Sequence, residues 1–301
     1  MSRLARLLAA AVLTVAALGT AQAAGSSRFC DRPGELNAAQ QDRLLRFAAV
    51  VKQTLERSGR GVALIARSGL DLSRFGIRYS HAGISLKESP NGPWSVRQLY
   101  YACDESRPRL FDQGMAGFLI GSDDPSAGYV SMVLLPQADG EALARTSLEP
   151  RLALELLAAD YSANAYAFST RYQNCNQWVM ELIASAWGQL DPSRPARDAA
   201  QRWLQAEGYA PAPIDVGSHA LLFAAQFVPL IHLVDHPQDD LYALRLRISM
   251  PASIETFVRQ RTPQAERIEL CHDAARIVVH RGWQPLGPGC EASPGDEVIP
   301  L

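Results

Sequence analysis

The sequence of 301 residues has almost no excess of either charge: 29 Lys and Arg stand against 31 Asp and Glu, a formal charge of −2. No stretch gathers Lys or Arg into a face able to track phosphates, so nucleic acid is not an expected partner. The chain has no internal repeat, no low-complexity linker, no HExxH motif and no close His/Cys/Asp cluster. A designed zinc site is therefore not expected, nor is any cofactor. The early apolar block without charge, 7–18, is short of the roughly 20 residues of a membrane-spanning helix. What is present is 48% hydrophobic and 20% charged residues, the composition of a folded globular chain.

Residues 1–23 have the anatomy of a secretory signal peptide: Arg3 and Arg6, then the block 7–18, then Ala21-Gln22-Ala23 as a small-x-small cleavage pattern. A mature chain is expected to start at Ala24, with 27 basic against 31 acidic residues and a formal charge of −4. The expected location is periplasmic or secreted, with no stable membrane span after cleavage. Export changes how cysteines are read, because an oxidising compartment pairs thiols. Of the five, Cys30, Cys103, Cys175, Cys271 and Cys290, at least one must stay unpaired. Cys271 and Cys290 flank a strand-like run, 276–280, and a Gly/Pro-rich return, 282–289, so 266–301 reads as a disulfide-closed extension to a domain of 24–265. Cys30 with Cys103 is a possible second pair, and that arithmetic leaves Cys175 free.

Periodicity predicts a mixed chain. Asn37 is placed to cap a helix whose Leu44, Phe47, Ala48, Val51 and Leu55 recur at helical spacing, with Gly59 as its stop. Strands are predicted at 62–66, 79–86, 94–101 and 130–135, the middle two joined by Glu88-Ser89-Pro90-Asn91-Gly92-Pro93, which is hairpin chemistry. Helices are predicted at 148–159, 177–187 and 199–206, and two more strands at 230–234 and 241–248. Strands in a cluster with helices around them point to an α+β fold with antiparallel strands.

The chemistry centres on Cys175. It follows the polar run Arg171-Tyr172-Gln173-Asn174 and precedes Trp178, Val179, Leu182, Ile183 and Ala186 on one helical face, so it heads a helix. Free amides and the helix dipole there favour a thiolate and can face a developing oxyanion. Set against this, a free cysteine is commonly a small buried hydrophobe. Of the six histidines, His81 stands apart: strand alternation puts His81, Gly83 and Ser85 on one face with little bulk beside the imidazole. His232 and His236 share i, i+4 spacing, but Pro237 and Asp239-Asp240 favour a solvated turn over a metal face.

A Ser-His-x-Gly-Ile strand followed roughly ninety residues later by Asn-Cys at a helix head resembles the circularly permuted papain-like hydrolases. These are NlpC-type relatives that include the YiiX-like and lecithin:retinol acyltransferase-like groups. More narrowly, Tyr-Ser-His-Ala-Gly and Arg-Tyr-Gln-Asn-Cys-Asn-Gln-Trp make the chain, over about residues 25 to 270, similar to the bacterial domain-of-unknown-function family numbered 2145. The resemblance implies Cys175 as nucleophile, His81 as general base and, on the strand after the histidine, Gln98 as the group that orients the ring. Gln98 stands where the permuted relatives commonly have His or an acid; Glu88 is a reserve candidate. Tyr172, Asn174 and Gly83 are expected at the substrate. The implied reaction is acyl transfer through a thioester, with a cell-wall peptide as favoured substrate and lipid or protein acyl groups as runners-up. Residues 221–234 are apolar enough to line an acyl groove, although a core helix and strand account for them more simply. Two other classes compete: a non-catalytic exported module that binds through the same cleft, and a redox-sensing thiol, for which no resolving cysteine lies close in sequence.

Overall fold

A computed structural model describes residues 36–301 apart from 122, 123 and 125. The expected signal peptide and Cys30 lie outside the described residues. Asn37 caps α1 (Ala38–Arg57) through a capping box: its side chain accepts from the Gln40 amide, and Gln40 accepts from the Asn37 amide. Gly59, at φ 67°, turns the chain out of the helix. There follow β1 (Val62–Arg67), β2 (His81–Leu86), β3 (Ser95–Ala102), β4 (Arg107–Gln113), a short α2 (Met115–Leu119) and β5 (Gly128–Leu134). The helices α3 (Gln137–Leu148), α4 (Pro150–Glu155), α5 (Cys175–Trp187) and α6 (Ala196–Ala206) come next. A smaller lobe holds β6 (Ile214–Asp215), α7 (His219–Ala225), α8 (Gln238–Tyr242) and β7 (Arg245–Leu246). The chain closes with α9 (Pro251–Arg261), β8 (Glu266–His272), β9 (Arg276–Arg281) and β10 (Glu297–Pro300).

Eight strands form one sheet in the order β10-β9-β8-β5-β1-β2-β3-β4, antiparallel at every pairing. The fold is therefore α+β with a large antiparallel sheet. Alternate residues of β1 feed two different cores. Ala63 and Ile65 pack with Phe47, Val51 and Phe118 of α1 and α2, while Val62, Leu64 and Ala66 pack with Val179, Leu182 and Ile183 of α5. Because both faces are covered, β1 reads as an unbroken apolar run rather than an alternating one. A third, smaller core of Leu222, Leu233, Leu246, Ile248 and Met250 belongs to the lobe.

Four expectations need correction. The span 148–159 holds only the short α4: Pro150 cannot donate and drives Glu149 into extended backbone (ψ 104°), which ends α3 at Leu148, and the helix that Pro150 starts stops at Glu155. No strand forms at 230–234, where Leu230 takes a positive φ of 64°. Within 241–248 only β7 is a strand, preceded by α8. The stretch 266–301 is closed by the Cys271–Cys290 disulfide, yet it is not an appendix: β8 pairs with β5 along its whole length and carries the sheet outward. The His232–His236 turn is also less solvated than its sequence suggests. His236 is buried with Nε2 2.7 Å from the Asn164 carbonyl oxygen, and the His232 ring stacks on Tyr172 at 4.5 Å.

Candidate active site

The two residues singled out by sequence, Cys175 and His81, line one cavity of about 300 Å³ where the lobe meets the sheet. Cys175 is the first residue of α5, whose cap is Asn174: the Asn174 side chain accepts from the Gln177 amide and donates toward the Ala163 and Ser249 carbonyls. The first helical amides, those of Cys175 and Asn176, have no acceptor inside the helix by construction, and they stand beside the sulfur. Behind the helix head, Arg197 braces the approach loop. It donates to the carbonyls of Thr170 (2.6 Å) and Tyr172 (3.0 Å) while pairing with the fully buried Glu181 at 2.8 Å.

His81 opens β2 and lies opposite Arg67 in the β1 register. Its Nε2 is 2.6 Å from Gln98 Oε1, and Gln98 Nε2 donates in turn to Gln113 Oε1 at 2.5 Å. Since the Gln98 amide nitrogen is spent on Gln113, its oxygen is the acceptor and His81 carries its proton on Nε2. That leaves Nδ1 as the basic nitrogen. The ring stacks on Tyr100 at 4.5 Å.

No hydrogen bond joins the His81 ring to the Cys175 sulfur, and strand alternation explains why. Ala82, Ile84 and Leu86 point into the core that contains Cys175, so His81 emerges on the other face, beside Phe118 of α2, and reaches the cavity around the end of the strand. The electrostatics follow from burial. Burial pushes the Cys175 thiol up to about 11, although the amides of Ala82, Asn176 and Cys175 and the Arg67 guanidinium act to lower it. Burial first and Arg67 second lower His81 to about 3, against the opposing bond from Gln98. Thiol and imidazole are thus both neutral at pH 7. The expectation of a thiolate favoured by the helix head is reversed here, because desolvation of the charge outweighs the dipole.

The remaining sequence candidates are placed elsewhere. Gly83 faces β3, not the cavity: a Cβ there would lie 2.6 Å from Val96 Cγ1 and 2.9 Å from the Arg97 carbonyl oxygen. Asn174 acts as the cap, and Tyr172 stacks on His232 outside the cavity lining. Glu88 lies in the β2–β3 turn, and its acid has no place at the cavity. Cys103 is in a disulfide, while Cys175 is free and buried.

Two cavity residues escape a sequence reading. Arg67 is buried, donates to the Ser68 and Gly121 carbonyls and to the Tyr100 hydroxyl, and pairs with no carboxylate among the described residues. A cation closing the apolar run of β1 was its only signal. Asn176, directly after the cysteine, donates to the Ser80 carbonyl at 3.1 Å, and its buried Oδ1 has no partner among the described residues. Among the described residues no group of three or more His, Cys, Asp or Glu is arranged to hold a metal, and no helix is long and apolar enough to cross a membrane.

Compared with known proteins, the chain matches no curated protein and no solved structure. Residues 54–258, which include His81, Gln98 and Cys175, match the family described as "uncharacterized protein conserved in bacteria (DUF2145)". With more than half of its length matched, the chain belongs to that family.

Proposed function

We propose that this protein is an exported, permuted papain-like cysteine hydrolase or acyltransferase that works through a thioester on Cys175. The observation that carries the reading is the convergence, in one cavity, of a helix-heading cysteine with a histidine whose tautomer is set by Gln98. The chain order, histidine on a strand and then cysteine on a helix, is that of the permuted enzymes. Export is supported by the N-terminal sequence and by the Cys271–Cys290 disulfide, which suits an oxidising compartment.

The proton inventory sets the mechanism. A thiol raised to about 11 does not rest as thiolate, so its proton leaves as the sulfur attacks. A ring lowered to about 3 is too weak a base to take that proton from the resting thiol, so His81 Nδ1 accepts it only as the forming S–C bond acidifies the S–H, directly after the ring closes on the sulfur or through one water in the cavity. The S–C bond forms, the carbonyl oxygen takes up charge near the Cys175 and Asn176 amides, and the bond to the leaving oxygen or nitrogen breaks as His81 returns the proton to it. Water, or an acceptor hydroxyl or amine, then attacks the thioester, loses a proton to His81 and releases the acyl product with the thiol restored.

The test is trapping of the acyl-enzyme. Incubation with 4-nitrophenyl acetate, followed by intact mass and peptide mapping, is expected to place one acetyl group on Cys175. Cys175→Ala should carry none, and His81→Ala and Gln98→Leu should carry it more slowly. A second reading, a non-catalytic cleft, is favoured by the missing Cys175–His81 hydrogen bond; equal labelling of wild type and His81→Ala would select it.

A further inference from the structure

The cavity lining is mostly apolar, with Arg74, Ser80 and Asn164 as polar members besides the residues around the cysteine. Cys175, His81, Arg67 and Asn176 carry the chemistry, and much of the remaining wall is aliphatic, including Leu72, Ile77, Ile214, Leu222, Leu233 and Ile248. These residues come from the smaller lobe and from the loop before β2, so the lobe's own core is built around the space instead of filling it. Its size falls at the lower end of the roughly 300–1,000 Å³ of small-molecule sites. The segment 221–234, more simply read from sequence as a core helix and strand, is therefore a wall: Leu221, Leu222, Ala225, Ile231 and Leu233 face the cavity.

The outer side of that wall is apolar as well. Phe223 and Phe227 are 62% and 69% exposed, with ring centroids 5.3 Å apart, and Val228 and Val234 are exposed with them. A wall that is apolar on both sides suits a protein that takes substrate from a lipid surface, since in water alone the outer rings gain nothing. A cell-wall peptide, rich in amides and carboxylates, would leave its polar groups unpaired along the aliphatic walls at a cost.

We propose that the cavity binds the hydrocarbon chain of an acyl ester, drawn from a lipid surface by the face of Phe223 and Phe227, and presents its carbonyl to Cys175. The substrate class is thus a lipid ester. This deepens the thioester reading and rests on it for the carbonyl's position; the chain site itself rests on the walls. The chemistry balances as above: sulfur replaces the ester oxygen, the thiol proton leaves with the alcohol, and water completes release of the fatty acid.

The experiment measures acylation of Cys175 in the mature protein by acetyl, butanoyl, octanoyl and dodecanoyl 4-nitrophenyl esters, each kept below its aggregation concentration and normalised to its reaction with glutathione. The transfer value for a buried methylene corresponds to about fourfold per carbon, so the rate should rise by more than about a hundredfold from acetyl to octanoyl. Ile248→Trp, which fills the aliphatic part, should move the optimum to shorter chains. Rates that are flat or fall with chain length, or release of peptide from muropeptides in their place, overturn the lipid assignment and leave the thioester reading standing. If no ester acylates Cys175, the thioester reading falls, and binding of dansylaminoundecanoic acid decides the cavity separately. Fluorescence enhancement weakened by Ile248→Trp upholds the acyl-chain site, and no enhancement overturns it.

Discussion

His81 and Cys175 reach the same cavity from opposite faces of β2: the Cys175 side packs with Ala82, the His81 side with Tyr100 and Phe118. The sulfur and the imidazole are therefore neighbours across a strand end, each buried and each uncharged. In the proposed mechanism such a pair activates its thiol only at the moment of attack, and no stored thiolate is needed.

The first consequence is slow alkylation. With the thiol pushed up to about 11, iodoacetamide should react with Cys175 more slowly at pH 8 than with a model thiol, whose ordinary value is about 8.5. The rate should climb about tenfold per pH unit across pH 8 to 10, as the thiolate fraction does. Arg67→Met removes a cation that lowers the thiol, and should slow the reaction further at every pH in that range. A plateau already reached by pH 8 would show that the helix head wins over burial, and the concerted mechanism would go with it.

The histidine makes a stability prediction with a fixed sign. In the folded protein His81 is lowered to about 3 from 6.5, so below pH 6.5 the unfolded chain binds a proton that the native state refuses. Its contribution is complete above pH 6.5 and drains away as pH falls toward 3, on the order of 5 kcal/mol over that window. His236 and His272 are also lowered, mainly by burial, and act in the same direction. The informative quantity is thus the difference between wild type and His81→Gln in urea unfolding at pH 7 and pH 4.5. The wild type should lose more stability than the variant on acidification; parallel losses would mean that His81 is protonated in the native state.

Much of this was legible in the sequence, and the failures have different causes. α1, with Asn37, Leu44, Phe47, Val51 and Leu55, was readable because a two-sided pattern and a cap agree. The Cys175 helix was readable for the same reason. β6 and β8 went unread, and the other strands missed, β4 and β10, are the two edges of the sheet. Edge strands tolerate charge and proline, and these carry Arg107, Pro108 and Arg109, and Glu297 and Pro300, so their sequences look like loops. Residues 230–234 failed in the opposite way: an apolar run implies core, but here apolar side chains line a cavity and meet solvent. At the site, residue identity pointed to Cys175, His81 and Gln98, whereas the direction of each side chain and the desolvation that sets its charge depend on packing. Arg67 and Asn176 became visible only with that packing.

The approach to Cys175 depends on an ion pair remote from the cavity. Glu181 is fully buried on α5, bonded by Arg197, Gln201 at 2.6 Å and Gln173 at 2.6 Å. Arg197→Met would leave that carboxylate without a cation and free the 169–172 carbonyls, and should cost roughly 3–5 kcal/mol in urea unfolding. Arg197→Met with Glu181→Leu should be less damaged than Arg197→Met alone, because the second change removes the stranded charge. If Arg197→Met alone lost less than about 1 kcal/mol, the pair would not be holding the loop.

Gly83 links the sheet to the tautomer of His81. A methyl at this position would press on Val96 Cγ1, on the Arg97 carbonyl and, at 3.2 Å, on Gln98 Cβ, so β3 must move away from β2 for Gly83→Ala to fold. Overpacking of this kind costs about 1–3 kcal/mol. The shift also carries Gln98 off the His81 Nε2, a bond now 2.6 Å long, and frees the ring to exchange tautomers. Nitrogen chemical shifts of His81 in labelled protein report this directly: the wild type should show Nε2 protonated and Nδ1 bare, and Gly83→Ala a mixture. Gln98→Leu should give the same mixture without strand displacement, which separates loss of the hydrogen bond from loss of stability. An unchanged His81 spectrum in Gln98→Leu would mean that something other than Gln98 fixes the ring, and the assignment of Nδ1 as the base would lose its support.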